Sequence, residues 1–143
     1  MLKHIPPILS PDLLHALRAM GHGDEIVIVD ANYPAQSAGP PVIRLDGLLA
    51  TDVADAVLSL LPLDDFVDAA AFAMEVVGNP RKREATHREF DKLVKKHEPA
   101  MKLSLLERFD FYERASQAFV IVQTGERRLY GNILLKKGVI RPD

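Results

Sequence analysis

No cysteine occurs in this chain, which removes any disulfide framework, thiolate nucleophile or thiolate metal site. A reducing cytoplasm is the compartment that this absence suits. A basic excess is missing too: 18 Lys and Arg stand against 20 Asp and Glu, a net charge of −2. Binding to a phosphate backbone usually draws on a surplus of cations, so no nucleic-acid partner is expected. No run approaches the roughly 20 apolar residues of a membrane-spanning helix, and no membrane partner is expected either. The opening "MLKHIPPILSPDLL" places two prolines in a short apolar stretch and lacks a small-residue cleavage site. That is not the pattern of a secretory signal peptide, and a soluble intracellular protein is the expectation.

What is present is ordinary for a globular protein: 143 residues, 48% apolar and 27% charged. That is one domain, residues 1–143, large enough to bury roughly 68–70% of its unfolded surface. Ser10, Pro11 and Asp12 read as a helix start, with Leu13, Leu14, Leu17 and Met20 on one face and Gly21 as a left-handed cap. "EIVIV" at 25–29 is short, β-branched and almost wholly apolar, as a strand covered on both faces would be. Residues 31–41, with three prolines, form an irregular loop of a length that is usually functional. A strand "VIRL" follows, then a helix from Thr51 to about Leu61, a core strand in "AAAFAMEVV" and a charged helix from Glu84 to His97. Glu84 and Asp91 stand four residues ahead of Arg88 and Lys95, the spacing of a solvated ion-paired face. Then "FDFYERASQA" reads as a helix, "FVIVQ" as a strand, "TGER" as a turn, and "LYGNILLKKG" as a last strand interrupted by Gly131. Helices alternating with short apolar strands imply an α/β layer fold with a largely parallel sheet.

Familiar motifs fail. "GHGDEI" has two glycines of a dinucleotide loop, but Ile26 stands where the third belongs and the order is helix, loop, strand. "AQSAG" misses the nucleophile elbow because Ala35 replaces the first glycine and the prolines that follow cannot continue as a helix. No histidine pair has the spacing of the helical zinc motif, so no metal is expected.

The remaining candidates are polar residues that secondary structure does not require. His22 sits between Gly21 and Gly23, either as a site histidine held with little cover or as a solvated loop residue. Asp30 follows an apolar strand, where ligands of open α/β sheets bind, though a turn aspartate reads the same way. Tyr130, Gly131 and Asn132 put a phenol and a carboxamide beside a glycine within an apolar strand, as a bulge also would. Arg108 precedes "FDFYERA" and fits either a surface ion pair or a ligand contact.

Taken together, "MLKHIPPILSPDLLHALRAMGHGDEIVIVDANYPAQSAGPPVIRLDGLL" and "RFDFYERASQAFVIVQTGERRLYGNILLKKGV" resemble the family of L-fucose mutarotases and D-ribose pyranases. The resemblance covers about residues 1–61 and 104–139, and "FYERA" and "TGER", with Arg108 and "YGN", favour the fucose branch. It implies a three-layer α/β fold, a cofactor-free isomerase and a monosaccharide substrate. By motif, His22 is similar to the family's acid/base histidine, and Asp30, Arg108, Tyr130, Gly131 and Asn132 to its sugar-binding positions. Tyr33 departs from the aromatic expected most often in that loop. Interconverting anomers takes a proton from the anomeric hydroxyl, protonates the ring oxygen, opens the ring and recloses it on the other face. Histidine, with an unperturbed pKa of about 6.5, suits that role, and the Tyr130 hydroxyl can serve the opposite oxygen as a second catalytic group. A ribose pyranase and a non-catalytic monosaccharide-binding module are the alternatives.

Geometry adds one expectation. Eight steps from His22 to Asp30 span about 26 Å at full extension and near 20 Å in practice. One monosaccharide cannot bridge that, so either the loop folds back or His22 of one subunit meets Asp30 of another. The second is preferred, because the resemblance also implies a ring-shaped homo-oligomer, a ring-based decamer being one form.

Overall fold

Ser10 accepts from the Leu13 N–H (3.3 Å) and Pro11 opens the first helix, α1, Pro11–Ala19. In the computed structural model, which describes residues 1–143, there follow β1 (Glu25–Val29), β2 (Val42–Leu45), α2 (Ala50–Leu58), β3 (Ala71–Met74) and α3 (Ala85–His97). The chain continues through β4 (Ser104–Leu106), α4 (Arg108–Ser116), β5 (Val120–Thr124) and β6 (Ile133–Lys136). The strands form one six-stranded sheet in the order β2-β5-β1-β6-β3-β4. β1 pairs in parallel with β5, β2 with β5, and β3 with β4, while β6 runs antiparallel to both β1 and β3. Five strands therefore point one way, and the sheet is largely parallel.

Alternation divides the core into two layers. Ile26 and Ile28 of β1, with Ile133 and Leu135 of β6, face α1, α2 and α3; Val27, Val29, Ile121 and Leu134 face Phe111 and Ala115 of α4. Successive strand side chains point to opposite faces, so the four apolar residues of "EIVIV" serve two layers at once. The three-layer expectation holds.

Several local expectations do not. The α1 helix is closed by the Met20 N–H on the Ala16 carbonyl (2.9 Å), and Gly23, not Gly21, takes the left-handed conformation (φ 86°). The Gly21 N–H is instead held by the Asp24 carboxylate at 2.7 Å. In α2 the N-cap is Leu49, with no side-chain cap bond. Only 71–74 of "AAAFAMEVV" is strand, and the half-buried edge strand β4 has no expected counterpart. Gly131 interrupts nothing, because β6 begins after it. On α3 the Asp91–Lys95 pair forms (2.6 Å), but Glu84 caps the helix and pairs with Lys82 (2.8 Å). The helix is also more than a solvated face: Thr86, His87, Phe90 and Val94 are buried.

Candidate functional site

Because five strands run one way and β6 the other, the carboxyl ends of β1 and β3 and the start of β6 meet at one edge of the sheet. Asp30 follows β1, Met74 ends β3, Arg108 opens α4 just past β4, and Asn132 precedes β6. These residues line a recess of about 210 Å³ together with Asn32, Tyr33, Tyr112 and Tyr130. That is below the roughly 300–1,000 Å³ of pockets for drug-sized ligands.

Buried hydrogen bonds fix the walls. The Asp30 N–H donates to the Asn132 carboxamide oxygen (2.9 Å), and the Asp30 carboxylate accepts from the Asn32 N–H (3.0 Å). Gln123 on β5 donates to the Asp30 carbonyl at 2.8 Å. Tyr130 holds a left-handed backbone, φ 58°, and its hydroxyl accepts from the Val77 N–H at 3.0 Å. A glycine follows for reasons of space: a Cβ on Gly131 would stand 2.7 Å from Glu126 Cγ and 3.3 Å from Asp30 Cβ. The Arg108 guanidinium lies over the Phe109 ring, 4.5 Å from its centroid.

Electrostatics follow from burial. Desolvation pushes the Asp30 carboxyl up, offset in part by the N–H groups of Asn32, Gly131 and Tyr33 and by the Asn132 side chain. Tyr33 is raised as well, first by burial and then by Tyr112 and Asp30, so its phenol stays neutral. Glu126, fully buried, is held below the usual carboxylate range chiefly by hydrogen bonds from Arg128. In the whole protein two buried side-chain polar atoms lack a partner, the Tyr33 hydroxyl and the Arg108 Nε. Both belong to residues that wall this recess, but neither atom itself is open to solvent.

His22 stands elsewhere. It precedes β1, whose five residues put it roughly 17 Å along the sheet from Asp30. The Gly23 N–H donates to the Lys137 carbonyl (2.8 Å), which ties the loop to the far end of β6. The His22 Nε2 lies 3.0 Å from Asp64 Oδ1; its side chain is 44% exposed and that of Asp64 only 3%. Burial pushes the Asp64 carboxyl up, but the Phe66 N–H and His22 outweigh it, and its pKa is net lowered. The Phe66 ring packs at 5.2 Å from the imidazole, so His22 does have an apolar neighbour. The structure thus brings Asp30, Arg108, Tyr130, Gly131 and Asn132 together and leaves His22 apart from them within one chain.

Four residues in or beside these two clusters were not singled out from sequence: Asp64, Tyr112, Asn32 and Glu126. Asp64 is one of 20 acidic residues, and nothing local marks it as the one that is buried. Glu126 sits in "TGER", where a turn was signal enough to explain it.

The fold and the recess define a class, a small α/β protein with a compact recess walled by hydrogen-bonding side chains. Residues 3–140 match the RbsD / FucU transport protein family, and the chain belongs to that family. It is similar to the human fucose mutarotase, 47% identical over 145 residues that cover 97% of this chain and 94% of that protein. Among solved structures it is similar to the fucose mutarotase of Streptococcus pneumoniae in complex with L-fucose, with a TM-score of 0.91 at 45% identity, covering 98% of this chain and 100% of the other. FucU from Bifidobacterium longum gives a TM-score of 0.90 at 40% identity, covering 96% and 99%. No helix is long and apolar enough to cross a membrane.

Proposed function

We propose that this protein is a cofactor-free monosaccharide mutarotase, an isomerase that interconverts the α and β anomers of L-fucose or a sugar of like shape. The convergence of Asp30, Arg108, Tyr130 and Asn132 on one small recess carries this reading. Acceptor, cation, phenol and carboxamide are the groups that a polyhydroxylated ligand engages. The likeness to a mutarotase solved with L-fucose supports the choice of sugar.

In the reaction the anomeric hydroxyl loses its proton, the bond from the anomeric carbon to the ring oxygen breaks, and the ring oxygen takes a proton. Closure on the opposite face reverses each step, so protons balance. The Tyr130 hydroxyl already accepts from the Val77 N–H, which leaves its own proton to be donated to a sugar oxygen. Asp64, a carboxylate, accepts from His22 Nε2; Nδ1 is then the nitrogen that gives and takes a proton. General acid/base catalysis worth about 10²- to 10⁴-fold, with positioning, is enough for a reaction that is already feasible uncatalysed.

The separation of His22 from Asp30 supports a site shared between copies of the chain, and therefore a homo-oligomer whose neighbours present His22 to the recess. A ring, with a decamer of rings as one form, repeats such a head-to-tail contact to closure. A reducing cytoplasm is the compartment in which we place it.

Magnetisation exchange between sugar anomers, followed by NMR with and without protein, tests the activity. Exchange of L-fucose should exceed that of D-ribose at equal concentration; the reverse order supports a pyranase, and binding without exchange of any sugar supports a binding module. His22→Ala and Asp30→Ala should each be inactive. Mixed after dissociation and reassembly, they should regain exchange, since some sites then combine both intact residues. Mixed oligomers that form without regaining exchange overturn the shared site.

A further inference from the structure

Tyr130 holds a backbone conformation that a residue with a Cβ keeps only when its surroundings over-determine it. Those surroundings come from residues 77–89, in the middle of the chain. The Thr86 hydroxyl, buried on the first turn of α3, lies 3.2 Å from both the Leu129 and the Tyr130 carbonyl oxygens. Beside it the buried His87 ring is fixed at both nitrogens. Nδ1 accepts from the Glu84 N–H at 3.0 Å, and Nε2 then donates to the Met74 carbonyl at 2.8 Å. That imidazole meets the Tyr130 ring at a centroid distance of 6.0 Å, tilted by 42°.

Two further ties act on the same loop. The Val77 N–H reaches the Tyr130 hydroxyl. Arg128 bridges α3 to the loop, with Glu89 at 2.8 Å on one side and the buried Glu126 on the other, through Nε (3.0 Å) and NH2 (2.9 Å). Thr86, His87 and Arg128 are not among the residues that line the recess. Thr86 and His87 touch three residues that do line it, Leu129, Met74 and Tyr130, and of these only Tyr130 brings a polar side chain to the recess.

We propose that Thr86 and His87 are positioning residues, which hold Tyr130 in the strained conformation that aims its phenol into the recess. The helix that looks like a solvated, charged surface element is on this account the support of the catalytic loop. The proposal rests on the reading of Tyr130 as a catalytic and sugar-contacting group.

A double-mutant comparison tests it, with anomer exchange of L-fucose measured at several concentrations and thermal melts recorded for each variant. Thr86→Val removes the hydroxyl and keeps the branched shape. It should lower exchange between about tenfold and a hundredfold, the range expected when a reacting group is displaced by up to an ångström, with a melt close to wild type. Thr86→Ser keeps the hydroxyl and should retain exchange within about twofold. In a Tyr130→Phe background the further effect of Thr86→Val should shrink below about twofold, because the group being positioned is already gone.

Equal losses in both backgrounds, or wild-type exchange by Thr86→Val, overturn the positioning role while leaving Tyr130 in place. Loss of the fold together with exchange also overturns it, since Thr86 is then structural. Wild-type exchange by Tyr130→Phe alone removes Tyr130 from the reaction, and the proposal falls with it.

Discussion

Replacing Tyr33 by Phe should make the ligand-free protein more stable. Tyr33 is 6% exposed, packed against Phe111 and Tyr112 at centroid distances of 6.3 and 5.4 Å, and its hydroxyl has no partner. An unsatisfied buried hydroxyl costs about 1–3 kcal/mol, and deleting it with little change of shape recovers most of that. Unfolding entropy of about 2.1 cal/mol/K per residue, over 143 residues, is about 0.3 kcal/mol/K. Each kcal/mol therefore moves Tm by about 3 °C, and the expected rise is about 3–10 °C. Melts repeated in saturating L-fucose test whether sugar binding opens that buried hydroxyl to a partner, in which case the gain shrinks. Stabilisation bought at the expense of ligand contacts is a common trade at binding sites. A Tyr33→Phe melt equal to or below wild type without sugar would refute the reasoning, because the phenol must then have a partner in solution.

Gly125→Ala should lose at least about 3 kcal/mol in urea unfolding, since its Cβ would stand 1.9 Å from the Asp46 carbonyl oxygen, on backbone that cannot swing away; a loss under about 1 kcal/mol would show that the loop relaxes. His87 has a pKa lowered from 6.5, first by burial and also by Arg83 and Arg88, against the Met74 carbonyl and Glu84, which raise it. The unfolded chain then takes up a proton before the folded one does. Stability from neutral His87 is full above about pH 6.5 and is lost as pH falls from there through the folded pKa. Urea midpoints at pH 7.5 and 5.5 should fall further apart for wild type than for His87→Gln, and equal spacing would contradict the burial argument.

How much of this was legible from residues alone varies with the distance between partners. The strand "EIVIV" and the polar residue that ends it were readable, because an apolar run and its stop lie within six positions. So were the neighbours in "YGN", whose glycine is needed where Glu126 and Asp30 crowd it. The direction of β6 was not: an apolar run looks alike read either way, and its insertion between β1 and β3 is set by packing. The three-residue, half-buried β4 is too short to show a period.

The charged helix misled for a different reason. Its exposed Lys95 and half-buried Asp91 obey the spacing rule for a solvated face, and they do pair. That rule describes only the outward side of a helix. On the inward side Thr86 and His87 are polar for a purpose that appears only across the sheet, since the carbonyl groups that Thr86 meets belong to residues 43 and 44 positions later. A buried polar side chain with such remote partners is indistinguishable in sequence from an exposed one. Its burial is affordable only because those partners exist. Polar residues at a helix start beside a segment of no motif are therefore where function is most easily overlooked in this chain, and the Tyr130 loop is where the oversight becomes measurable.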